Sequence, residues 1–164
     1  MSDEDSEPTP TGERTLLVPP VWFLVFAGAE IFLGRIHFGP GVFVPFVASI
    51  ALGLAATGLV CGLLALRLFQ KAATTHHPTD PGAATALVTS GIYQFTRNPM
   101  YLGLALILFA IALWYGTLTV LVLPFLFMLV LTLVQIIPEE RALERRFGAA
   151  YRAYKAKTPR WFLI

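Results

Sequence analysis

Gly91-Ile92-Tyr93-Gln94-Phe95-Thr96-Arg97-Asn98-Pro99-Met100-Tyr101-Leu102-Gly103 leads into a run of 38 residues, Met100 to Ile137, without one Asp, Glu, Lys, Arg or His. Pro138-Glu139-Glu140-Arg141 closes the run. As one helix it would be about 57 Å long, almost twice the roughly 30 Å hydrocarbon core of a bilayer. It therefore has to fold back. The turn is predicted at Trp114-Tyr115-Gly116-Thr117, where Gly breaks the helix and Trp with Tyr suits a membrane interface. Pro124 is expected to kink the second arm. The first arm, Met100 to Leu113, is short for a crossing and is expected to tilt or begin deep. Folding back carries Arg97 and the Glu139-Glu140 pair, far apart in sequence, to the same membrane face.

The rest of the chain agrees with a lipid solvent. Of its 164 residues 56% are hydrophobic and 13% charged, against about 25% charged in a typical soluble domain. The pattern predicts an all-α integral membrane bundle of about four transmembrane helices with a C-terminal amphipathic cytoplasmic helix. Helices are expected at about 16–36, 42–69, 100–113 and 117–137, with the tail helix at about 138–157. Pro19 and Pro20 fall near the start of the first, where proline is tolerated. Residues 1–15 are acidic and polar (Asp3, Glu4, Asp5, Glu7), without the basic start and short apolar core of a cleavable signal. They read as a disordered tail before one membrane domain, 16–164.

Four crossings put both ends on one side, with 11 of the 12 Lys and Arg residues; only Arg35 lies opposite. The positive-inside rule makes that side cytoplasmic. The net charge of +2 gives no case for nucleic acid. Cys61 is alone and reads as helix packing; no metal site is predicted, because His76 and His77 are adjacent and His37 falls on the other side. Gly58-x-x-x-Gly62, with Ala51 and Ala55 before it, gives the second helix a smooth stripe for close helix contact. Glu30 is the one acid inside an apolar run. An intramembrane acid is a functional candidate, but here it sits near the predicted outer end of its helix, within reach of headgroups. Leu143, Phe147, Tyr151 and Tyr154 form one apolar-aromatic face on the tail helix, to lie on the bilayer or cover a pocket.

Arg97 precedes Asn98-Pro99 and so belongs to a loop or helix start. Its guanidinium offers a two-pronged clasp for a carboxylate or phosphate. Glu140 can accept from an ammonium or from ribose hydroxyls. Together they suit a zwitterion bearing a sugar; equally, they suit a structural Arg97–Glu140 ion pair. Neither a Gly-x-Gly-x-x-Gly nor a Gly-x-x-x-x-Gly-Lys-Ser/Thr motif occurs, which removes a Rossmann site and a P-loop.

Leu87-Val88-Thr89-Ser90-Gly91-Ile92-Tyr93, then Arg97-Asn98-Pro99-Met100-Tyr101-Leu102-Gly103, then Glu139-Glu140 and Phe147-Gly148-x-x-Tyr151-x-x-Tyr154 resemble, in order, the isoprenylcysteine carboxyl methyltransferase and phospholipid methyltransferase superfamily. The resemblance covers roughly Thr74 to Trp161; the N-terminal helices match only as hydrophobic segments. It implies a membrane methyltransferase using S-adenosylmethionine, with S-adenosylhomocysteine as product and a lipophilic or amphiphilic acceptor entering between helices. Carried over, the cofactor loop and the Glu-Glu helix end are Arg97, Asn98, Pro99, Tyr101, Glu139 and Glu140. His77, Leu87, Val88, Gly91 and Tyr93 would line the adenosine side. Arg97 and Glu140 are the residues implied to carry the activity. The family's usual His is Asn98 here, and Asn cannot take a proton near neutral pH, so no general base stands at that position. The resemblance also implies a bacterial or archaeal inner membrane. Two other readings stay open at this point. One is a membrane reductase of the sterol-reductase type, with Arg145 and Arg146 for a 2′-phosphate. The other is a non-enzymatic membrane assembly or transport subunit. Nothing in the pattern sets an oligomeric state.

Overall fold

A computed structural model describes residues 19–72 and 87–162. The predicted N-terminal tail and His76-His77 lie outside the described residues. Among the described residues, regular structure is helical, with an isolated antiparallel bridge between Gly41 and Thr117. The helices are α1 (Pro19–Arg35), α2 (Val47–Ala72), α3 (Pro99–Tyr115), α4 (Leu118–Leu131), α5 (Ile137–Phe147) and α6 (Ala149–Lys157). A short 3-10 turn, Gly91–Gln94, precedes α3, and a π turn, Thr132–Ile136, joins α4 to α5.

The hydrophobic hairpin turns where its sequence predicts. Gly116 ends α3 in the left-handed conformation (φ 61°) and Thr117 is extended before α4. The loop after α1 packs on this turn: the Val42 amide donates to Gly116 O at 2.6 Å, and the Leu118 amide donates to Pro40 O at 2.9 Å. Pro99 occupies the first turn of α3, where its missing N–H costs nothing. The core lies between α1, α3 and α4, around Phe26, Ala27, Ala105, Leu108, Phe127 and Leu131, with Phe26 and Phe127 edge to face at 5.5 Å.

The small-residue stripe on α2 meets α3. A methyl group added to Gly103 would lie 2.6 Å from Gly58 O and 3.1 Å from Gly62 N, so the backbones touch where side chains would normally hold them apart.

Two helices, Val47–Leu68 and the continuous Leu118–Phe147, are long and apolar enough to cross a membrane. α1 and α3 have 17 residues each, about 25 Å of helix at 1.5 Å per residue.

Three expectations change. Pro138 does not begin a separate tail helix. The π turn makes the Ile137 amide donate to Thr132 O, five residues back. That extra residue lets the helix run on through a proline that would otherwise clash with the preceding turn. The tail helix breaks instead at Gly148 (φ 51°), which divides the apolar-aromatic face between Phe147 and Tyr151. Finally, Glu30 does not reach the surface. Phe26, Ala27, Glu30 and Gly34 share one buried face of α1, and both Glu30 carboxylate oxygens lack a hydrogen-bond partner. Helical periodicity turns it inward, whatever its distance from the helix end.

Candidate functional site

At the end of the bundle opposite Gly116, three segments converge. Arg97 comes from the loop before α3. Glu140 comes from the first turn of α5. Arg160 comes from the irregular strap that follows α6. The strap is fixed by backbone and side-chain bonds: the Arg97 amide donates to Pro159 O at 3.0 Å, Thr96 Oγ1 donates to Arg160 O at 3.0 Å, and Asn98 Nδ2 donates to Arg160 O at 3.1 Å. Trp161 anchors its end, with Nε1 donating to Thr132 Oγ1 at 3.1 Å.

Glu140 sits between the two guanidiniums. Arg160 grips it as a fork, Nε to Oε1 at 3.0 Å and Nη2 to Oε2 at 2.8 Å. Arg97 Nη1 lies 3.0 Å from Oε1, and the Arg97 and Glu140 side chains are only 8% and 7% exposed. That contact is an ion pair without hydrogen-bond alignment: Arg97 Nη1 and Nε are both buried without a hydrogen-bonded acceptor. A buried guanidinium with unsatisfied donors fits an anionic ligand group, since such donors are costly to leave unpaired. Two Arg against one Glu leave the cluster at net +1.

Glu139 belongs to a different network. Its Oε1 accepts from Tyr101 OH at 2.8 Å and from Gln135 Nε2 at 2.5 Å, all neutral donors. Burial, with the Glu139 charge second, pushes the Tyr93 phenol up to about 12. Burial and then the Glu140 charge push the Tyr151 phenol up, against the opposing pull of the Arg97 charge. Both phenols are therefore donors at neutral pH, not bases. Tyr154 OH donates to Tyr93 O at 2.7 Å and ties α6 to the 3-10 turn.

Of the residues singled out in the sequence, Arg97 and Glu140 meet directly, Asn98 holds the strap, Pro99 starts α3, and Tyr101 joins Glu139. Tyr93 lies near Glu139, and Gly91 adopts φ 62° against Leu68 of α2. Leu87 and Val88 are half-buried in the segment before that turn. Arg145 and Arg146 are exposed on α5. In the sequence Arg160 reads only as one charge of a basic tail. The helix-ending Thr158-Pro159 ahead of it is the one local sign that it leaves the tail helix and returns to the bundle.

A family model described as phospholipid methyltransferase (PEMT) matches residues 46–150, 105 of the 164. The matched span includes α2, which sequence reading compared only as a hydrophobic segment, together with Arg97 and Glu140; the strap and α1 lie outside it. An uncharacterized protein of Haemophilus influenzae (strain ATCC 51907 / DSM 11121 / KW20 / Rd) is 47% identical over 62 residues, 38% of this chain and 98% of that protein. No solved structure matches significantly.

Proposed function

The chain belongs to the phospholipid methyltransferase family, and from that premise we propose that it is an integral membrane enzyme that transfers a methyl group from S-adenosylmethionine to a lipophilic or amphiphilic acceptor. The acceptor classes are a lipid-borne carboxylate, a thiol or a phospholipid amine. Four crossings with both ends cytoplasmic, in a bacterial or archaeal inner membrane, are part of the proposal. So is the division into an N-terminal tail, 1–15, and one membrane domain, 16–164. The observation that carries it is the buried Arg97–Glu140 pair with unsatisfied Arg97 donors, at the end of the bundle where the basic residues gather.

Arg97 would hold the cofactor carboxylate through those donors. Glu140 would take its ammonium or ribose: a carboxylate accepts at about four positions, and the two arginines approach three of them. Asn98 and Pro99 shape the loop, and Leu87, Val88, Gly91 and Tyr93 border the adenosine side; His77 stays part of the proposal by resemblance. S-adenosylmethionine supplies an electrophilic methyl on sulfonium. The chain's task is alignment, holding nucleophile and methyl at about 3–3.5 Å in line. Apolar surroundings aid an anionic nucleophile by replacing its hydration. A carboxylate acceptor needs no base. An amine or thiol must first lose a proton, and Glu139, held by neutral donors, is the carboxylate better placed to receive it than Glu140, which is engaged by guanidiniums.

The test is transfer of labelled methyl from S-adenosylmethionine by purified protein in nanodiscs to a total lipid extract. A labelled lipid absent from the no-protein control is expected. Failure to label lipid, carboxylate, thiol or amine acceptors, with the protein folded, would overturn the reading.

A further inference from the structure

Beside the Arg97–Glu140 cluster, a groove of about 320 Å³ opens between α4 and the strap, lined by Phe125, Met128, Leu129, Thr132, Arg160 and Trp161. Its volume is at the lower end of the roughly 300–1,000 Å³ range of small-molecule sites. One wall is hydrocarbon: Phe125 and Leu129 are 62% and 53% exposed on the face of a helix apolar enough to cross a membrane. The other wall is the strap, pinned to the end of α4 at Trp161. Trp161 is 6% exposed and bonded to Thr132 Oγ1, which itself donates to Met128 O at 2.7 Å.

Lipid tails fill any crevice on a lipid-facing helix. What sets this groove apart is its single charge. Arg160 lines the groove and keeps 30% of its side chain exposed while Nε and Nη2 grip Glu140. A guanidinium carries five donors, so the same side chain has N–H groups beyond those two. An apolar trough ending at a cation matches an amphiphile whose anionic group sits at the end of its chain. The same guanidinium joins the trough to the cluster through Glu140.

Resting on the methyltransferase reading, we propose that this groove seats the methyl acceptor, with hydrocarbon along Phe125, Met128 and Leu129 and a carboxylate or phosphate oxyanion on Arg160. A phospholipid phosphate and a lipid carboxylate offer the same oxyanion. In either case the group to be methylated is delivered beside Glu140, from the membrane, without passing through water.

Photo-crosslinking tests this without cofactor, so a failed S-adenosyl reading leaves the result interpretable. The full chain is placed in phosphatidylcholine nanodiscs with mid-chain diazirine probes: palmitic acid, phosphatidic acid, and hexadecanol as the uncharged control. Crosslinked residues are mapped by mass spectrometry. An acid probe is expected to label the Phe125–Thr132 segment at least about fivefold more than the alcohol, in line with a charge-assisted hydrogen bond. The stronger of the two acids identifies the headgroup class. Arg160→Gln should remove the preference. Leu129→Trp, which fills the trough at an exposed position and alters no charge, should lower labelling by both acids while leaving thermal stability intact. Equal labelling by alcohol and acids, or labelling unchanged in Leu129→Trp, means annular lipid only and overturns the proposal.

Discussion

The α2–α3 seam and the polar end of the bundle are both tight, for opposite reasons. The seam is tight because side chains are missing: Gly58, Gly62 and Gly103 let two backbones touch. The polar end is tight because charged side chains from three separate segments meet on one carboxylate. The seam is local, made by residues at helical spacing on two helices. The polar end depends on a loop, a helix start and a strap all being in place. A defect in the seam should therefore damage the fold first, and one at the polar end should damage both fold and site.

The largest effect is expected at Glu140. Alanine there leaves Arg97 buried and unpaired and releases Arg160, at a cost of about 3–5 kcal/mol. Thermal unfolding in detergent should show it as a large drop in Tm. The sequence alone points to a milder outcome, weakened ligand binding in a bundle that stays folded; the doubly clasped carboxylate is the reason to expect more. Next comes Gly103→Ala, whose new methyl would meet backbone and not a movable side chain. Overpacking of this kind costs about 1–3 kcal/mol, and the same melting assay should detect it, with any loss of cofactor affinity no larger than the loss of folded protein. Tyr154→Phe removes the bond to Tyr93 O and should cost about 0.5–1.5 kcal/mol, with faster amide exchange confined to the Gly91–Gln94 turn. Arg145→Ala, at an exposed position, should change stability by less than about 0.5 kcal/mol and leave S-adenosylhomocysteine affinity unaltered. A nicotinamide enzyme using that arginine for a 2′-phosphate would instead lose cofactor binding.

Features governed by short-range chemistry were legible in the sequence. Gly116 marked the turn, Pro99 the start of α3, and Gly58-x-x-x-Gly62 the seam, because each depends on what a residue's own backbone or missing side chain allows. The approach of Arg97 and Glu140 was legible too, since an uncharged run too long for one crossing must double back. Pro138 misled because a proline signal assumes regular helical spacing, and the π turn changes that spacing. Gly148 gave the break in the tail helix a local cause, but an apolar face continuing past it argued for one helix. Arg160 was hidden for another reason. Its partner lies 20 residues earlier, beyond a helix break whose direction no residue pattern sets. Glu30 lies near a helix end but on the buried face of α1, and the face, not the distance along the helix, decides its burial.

Calorimetric titration of S-adenosylhomocysteine into wild type and Arg97→Gln in nanodiscs tests the cluster most directly. The glutamine variant keeps Arg160 on Glu140 and so keeps the strap closed. Wild type should bind, and the variant should bind about tenfold or more weakly, the loss expected when hydrogen bonds to a charged group are removed. Equal affinity in two folded proteins, or no binding by either, would contradict a cofactor site built on Arg97.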